Sequence, residues 1–291
     1  MSKRMTMMAL LCVCSAALAG PVPVAPAATR FPLGAFTLVP LRDMLNVVPN
    51  DGSVFGKDQT TAAVASVLTA AGASSQDVRL GVDALLVEEP GRTVLIDTGL
   101  GPKVGGVLMQ SLAQAGIAPA KITDILITHS HGDHVGGLVT ATGALAFPNA
   151  TIRMSAPEWA FMQKNAAQTA LVSAIAPKVV TFAPGSPVVP GIDAVALAGH
   201  TPGHSGYRIT SRGAQLTDIG DTAHSSIVSL AKPGWTVGYD TDAMQGSATR
   251  EKELKSLAAS HQRIFAPHFP YPGIGTIVAR DGGYAFVPAP H

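Results

Sequence analysis

Residues 128–137 read THSHGDHVGG, and this short stretch constrains the chain more than any other. Three histidines and an aspartate lie within six positions, directly after the apolar run Ile125-Leu126-Ile127. A loop leaving a strand aims alternate side chains at one point, so His129 and His131 can share a metal ion. Gly132 then bends the chain, and Asp133 and His134 face a second ion nearby. Imidazole and carboxylate suit zinc and its neighbours in the series, and such a site needs further ligands to close. Candidates lie downstream, each behind a strand-like run: His200 after DAVALAG, Asp221 after AQLTDIG and His268 after RIFAP. A lone histidine after a strand is usually an ordinary surface or core residue. Three of the chain's nine histidines in one turn are not explained by solvation.

Thiolate ligands are excluded by position. The two cysteines, Cys12 and Cys14, fall in MSKRMTMMALLCVCSAALAG, which has a basic start, an apolar stretch from Met5 to Leu18 and small residues after it. The pattern is that of a cleaved export leader, too short to span a bilayer comfortably. Ala17-Leu18-Ala19 and Ala25-Pro26-Ala27 both fit a small-x-small cut, and the later one sets the leader at residues 1–27. The expectation is an exported protein, periplasmic or secreted, with no stable membrane anchor.

The remainder divides into an N-terminal arm or pre-domain segment over 28–75 and a catalytic body over 76–291. A net charge of +1, without a basic stripe, gives no reason to expect a nucleic-acid partner. With 47% hydrophobic residues the chain can build a core without disulfide staples. Residues 20–35, rich in Pro and Ala, read as a linker or extended arm. GVDALLVEEPGRTVLIDTG reads as two strands joined at Pro90-Gly91, and GGVLMQSLAQAGI as a helix with a glycine stop. A strand and a helix follow over ATIRMSAPEWAFMQKNAA. Short strands turn at Gly203 and Gly213, a helix covers SATREKELKSLAASHQRIF, and a hairpin turns at Asp281-Gly282. Strands mixed with helices at both ends predict a layered α/β body with helices outside.

THSHGDHVGG resembles the signature of the metallo-β-lactamase superfamily. IDTG (96–99), GHTPGH (199–204) and IGDTAH (219–224) resemble its other landmarks in their usual order. Behind a long helix, APHFPYPGIGTI (266–277) resembles the C-terminal ligand segment of the methyl parathion hydrolase group. The resemblance implies a four-layer αββα sandwich with two divalent metal ions, zinc the first choice. His129, His131 and His200 would bind one ion and Asp133, His134 and His268 the other. Asp221 would bridge them, which counts against a true β-lactamase. Asp97 would orient a ligand histidine through its ring N–H. His204 would be structural or support a ligand. His224, where related lactonases often carry a Tyr, and the aromatic Trp159, Trp235, Phe269 and Tyr271 would line the substrate pocket.

A shared water acidified by two cations would supply a metal-bridging hydroxide to attack carbonyl carbon or phosphorus. Asp221 and Asp133 would be the catalytic carboxylates. The expected activity is hydrolysis of small neutral esters: lactones, carboxyl esters or phosphotriesters. The alternatives are a thioesterase of the hydroxyacylglutathione hydrolase type and a non-catalytic binding protein on the same fold. Relatives of this type often pair, so a homodimer is expected.

Overall fold

The computed structural model describes residues 19–290. Most of the expected leader, including both cysteines, lies outside the described residues, as does His291.

The first eight strands form one sheet and the last seven another. The first contains β1 (Gly20–Val22), β2 (Phe31–Leu33), β3 (Phe36–Pro49), β4 (Asp77–Glu89), β5 (Arg92–Ile96), β6 (Asp124–Leu126), β7 (Thr151–Ser155) and β8 (Val179–Phe182). The second contains β9 (Pro187–Val189), β10 (Ile192–Ala196), β11 (Ser205–Ser211), β12 (Ala214–Asp218), β13 (Arg263–Phe265), β14 (Ile274–Arg280) and β15 (Gly283–Pro288). The helices are α1 (Thr61–Ala70), α2 (Leu108–Gln114), α3 (Gly132–Val135), α4 (Ala156–Lys164), α5 (Thr169–Ile175), α6 (Val228–Ala231) and α7 (Ala243–Ser260).

Period-two alternation along the strands builds the layers. In β4, Leu85 and Val87 face the second sheet, where they join Val94, Ile96, Leu126, Tyr207, Ile209 and Phe265. Their neighbours Ala84 and Leu86 point the other way, into an outer cluster with Leu112, Met162 and Ile175 from α2, α4 and α5. On the far side, Leu254 and Leu257 of α7 cover Ile264 and Ile277 of the second sheet. The result is helices, sheet, sheet, helices, the αββα sandwich. Each fully buried aliphatic side chain contributes roughly 1.5–3 kcal/mol to holding these layers. No helix among the described residues is long and apolar enough to cross a membrane.

The amino-terminal third differs from the sequence expectation. Residues 28–75 are not a separate arm: β3 pairs with β4 from Thr37↔Glu88 to Pro49↔Asp77, inside the first sheet. Nor do residues 20–27 stand apart. β1 pairs antiparallel with β3, and the Arg42 N–H donates to the Ala27 carbonyl at 3.0 Å. Proline and alanine content reads as a linker because these residues lack ladder donors or bulk. Here the long β3 supplies a ready edge that pairs them anyway.

Candidate metal centre

The site assembles at the carboxyl ends of strands from both sheets. The loop after β6 carries His129 and His131, and the short α3 carries Asp133 and His134. His200 follows β10, Asp221 follows β12 and His268 follows β13. The structure brings all seven together in two groups: His129, His131, His200 and Asp221, then Asp133, His134 and His268. Within each group one ligand atom of every residue lies within 4.8 Å of the others.

Asp221 stands between the groups. Its Oδ2 lies 3.3 Å from His200 Nε2 and 3.1 Å from His268 Nε2, and its Oδ1 lies 3.3 Å from His134 Nε2. Burial alone would raise its carboxyl, but His268, His134 and His129 hold it well below the usual carboxylate range. Conversely, burial would lower His268, yet Asp221 and Asp133 push it up to about 9. His131 goes the other way, to about 4, through burial and the neighbouring His200. Such opposed shifts mark a cluster whose carboxylates call for positive charge at its centre. His134 Nε2 and Asp221 Oδ1, both buried, have no hydrogen-bond partner. These orphaned atoms and an all-nitrogen-and-oxygen donor set fit a divalent metal ion such as zinc.

Behind the cluster His134, His200 and His268 are each held by the other ring nitrogen. His134 Nδ1 donates to Asp97 Oδ2 at 2.7 Å, and Asp97 also accepts from the Thr128 N–H and hydroxyl. His200 Nδ1 donates to Asp240 Oδ1 at 3.0 Å, and Arg250 holds the other Asp240 oxygen at 2.8 Å. His268 Nδ1 donates to the Gly81 carbonyl at 2.6 Å. A carboxylate or carbonyl on Nδ1 fixes the tautomer that leaves Nε2 free as a lone pair. His204 is not among the seven: its Nδ1 donates to Leu197 O and its Nε2 accepts from the Asp221 N–H, both at 3.0 Å.

Three supporting residues escaped the sequence reading. Glu158, fully buried on α4, accepts from Ser130 N–H and hydroxyl with Oε1, and from Thr201 hydroxyl and Gly203 N–H with Oε2. It thereby ties the His129–His131 loop to the His200 loop. Its sequence signal, a glutamate three residues after the cap Ser155, reads as helix capping. Asp240 lies in an irregular stretch and Gly81 inside a strand, so neither carries a motif.

A cavity of about 540 Å³ opens on the cluster. Its walls include Pro21, Asn46, Leu80, Leu100, His224 and Tyr239 beside His131, Asp133, His200, Asp221 and His268. Of the expected pocket residues, only His224 is there. Trp159 instead packs into the outer cluster beneath α4. Phe269 is fully buried edge-to-face against Phe286, with ring centroids 5.1 Å apart. Tyr271 lines a different cavity, where Arg42 lies 4.3 Å above its ring. Trp235 joins a core cluster under α1. Apolar area explains these corrections: large aromatics gain more from a packed core than from a wet cleft.

Two facing sheets flanked by helices, with a histidine–aspartate cluster at their strand ends, define a metal-dependent hydrolase scaffold. The chain belongs to the metallo-β-lactamase superfamily, whose family model matches residues 77–286. The uncharacterized protein YobT of Bacillus subtilis (strain 168) is 32% identical over 188 residues, covering 61% of this chain and 78% of YobT. Metallo-β-lactamase domain-containing protein 1 of Xenopus laevis is 36% identical over 119 residues, 40% of this chain but only 42% of that protein. Among solved structures, AidC, a dizinc quorum-quenching lactonase in complex with the product N-hexanoyl-L-homoserine, superposes with a TM-score of 0.87. It is 28% identical, with 91% of this chain and 98% of AidC covered. The hydrolase AbOPH, of the β-lactamase superfamily, gives 0.83 at 29% identity, covering 92% and 99%.

Proposed function

We propose that this protein is an exported, binuclear metal-dependent hydrolase of neutral esters, with lactones the leading substrates and carboxyl esters and phosphotriesters behind them. The observation that carries the reading is Asp221, whose two oxygens reach histidines of both ligand groups. Likeness to a dizinc lactonase over nearly the whole chain supports the lactone class. The resemblance of the 266–277 segment is the support for a place near the methyl parathion hydrolase group. For export, the leader pattern is the support. Because Gly20–Val22 pair with β3 and Ala28 bridges to Leu41, the cut we favour follows Ala19.

His129, His131 and His200 would hold one ion and Asp133, His134 and His268 the other, with Asp221 reaching both. Such ions, when bound, acidify a water and polarise the substrate oxygen. The chain's own residues supply position and proton transfer. Asp133 lines the cavity with a quarter of its side chain exposed, so it can exchange a proton between solvent and a leaving oxygen. Asp221, kept ionised by the imidazoles around it, is the second carboxylate able to carry that proton. His224, lowered chiefly by burial, presents a neutral ring to the cavity 3.2 Å from Asp221 Oδ2.

Metal analysis joined to a hydrolysis screen over lactone, aryl ester and phosphotriester panels tests the proposal. The expected result is about two metals per chain, with activity lost in His131→Ala. Full activity after rigorous metal stripping would defeat the mechanism.

A further inference from the structure

We infer that the cavity beside Asp83, Arg42 and Tyr271 is a second ligand site, built for a small α-amino acid with an apolar side chain. It shares no lining residue with the cavity over the metal cluster.

Arg42 of β3 stands directly opposite Asp83 of β4, so their side chains share one face of the first sheet. Both line a cavity of about 360 Å³. Asp83 is 3% exposed, and neither of its oxygens makes a hydrogen bond of ordinary geometry to a described residue. Burial works against its charge, while Arg42, His268 and the Asp43 N–H work for it. Gly81 keeps the carboxyl uncovered: a Cβ there would sit 3.2 Å from Asp83 Oδ2. Arg42 does not close on Asp83 as an ion pair. Its guanidinium lies instead across the Tyr271 ring, 4.3 Å from the centroid, and donates to no described residue. Tyr271 is itself pinned, its hydroxyl 2.9 Å from Thr29 Oγ1 and donating to Pro40 O at 3.1 Å.

Two unmet charges of opposite sign therefore face one space. Arg79, also on the wall, is exposed and already paired with Asp77 at 3.4 Å. The other walls are mainly apolar, from Val24, Met44, Leu45 and Pro270. A buried water needs about three polar partners, which such walls do not supply, and a buried charge left unpaired is costly. An α-amino acid meets each demand. Its ammonium reaches Asp83, its carboxylate takes the free N–H groups of Arg42, and its hydrocarbon lies against Met44 and Leu45. A plain amine would leave Arg42 unmet, and a plain carboxylate would leave Asp83 unmet.

Calorimetric titration of the metal-loaded protein with L-leucine and L-phenylalanine tests the site. Saturable binding of at least one is expected. 4-Methylpentanoate, which lacks the ammonium of leucine, and 3-methylbutylamine, which lacks its carboxylate, should each bind about 10–100-fold more weakly than leucine. Asp83→Asn and Arg42→Met, which keep size and stem, should weaken binding of the amino acid by a similar factor. Binding of equal strength in wild type and both variants would put the amino acid on the metal cluster and overturn the site. So would an amine or a carboxylate that binds as well as leucine, or no saturable binding of either amino acid. Because the readout is binding, its failure leaves the hydrolase reading untouched.

Discussion

Asp240 Oδ1 lies 3.0 Å from His200 Nδ1, while Arg250, itself buried, grips the other oxygen of the same carboxylate. Backbone bonds tighten the arrangement: the Thr241 N–H donates to His200 O and the Asp242 N–H to Gly199 O. Asp240→Ala removes the group that fixes the His200 tautomer, so bound metal should leave 10–100-fold faster. Release into a colorimetric chelator measures it, and Asp240→Asn, which keeps an acceptor oxygen, should fall between. Equal release rates in all three proteins would rule out a positioning role.

Glu158 joins two ligand loops through four hydrogen bonds. Glu158→Gln turns one acceptor into a donor facing donors, and should cost about 1–3 kcal/mol. For a domain of this size that is a fall in Tm of roughly 2–4 °C per kcal/mol, readable by calorimetry.

Gly81 leaves no room for a side chain. A Cβ there would come within 2.7 Å of the Phe269 carbonyl oxygen and 3.3 Å of that of Pro267. With two ions bound as proposed, Gly81→Ala should therefore push away the segment carrying His268 and weaken retention of one ion more than the other. Metal stoichiometry after dialysis distinguishes this from general unfolding, which would release both together.

Stability should depend on pH through His204. Burial, with help from His200, depresses its imidazole to about 3 from an ordinary 6.5. As pH falls through 6.5 the unfolded chain takes up this proton while the folded chain refuses it. The contribution is thus complete above 6.5 and is lost between 6.5 and 3, by up to about 1.4 kcal/mol per pH unit. Denaturant titrations at pH 7 and pH 5 should show a shallower decline in His204→Asn than in the wild type.

The seven clustered residues were legible because five of them sit in two short signatures, and each follows a run of strand formers. Alternation made the layers readable too: β4, β5, α2 and the β14–β15 hairpin stand where periodicity and turn residues place them, whereas α7 begins earlier, at Ala243, and stops at Ser260, so that the end of the expected helix, Arg263–Phe265, is β13 instead. What escaped were residues whose role depends on a distant partner. Glu158 looks like a helix cap until Thr201 and Gly203 are brought to it. Asp240 has no pattern until α7 delivers Arg250. Trp159, Phe269 and Tyr271 were misread because an aromatic side chain carries the same letter in a core and in a cleft. The Pro-rich start was misread because strand pairing depends on an available edge as much as on composition.

The division of the strands has a consequence for the whole molecule. The loops of residues 129–134 leave the first sheet, while His200, Asp221 and His268 leave the second. Ions seated among them would act as a clasp between the two halves of the chain. Heat resistance would then report on free zinc in the surroundings, rising as supply improves and slackening along the seam when it runs short.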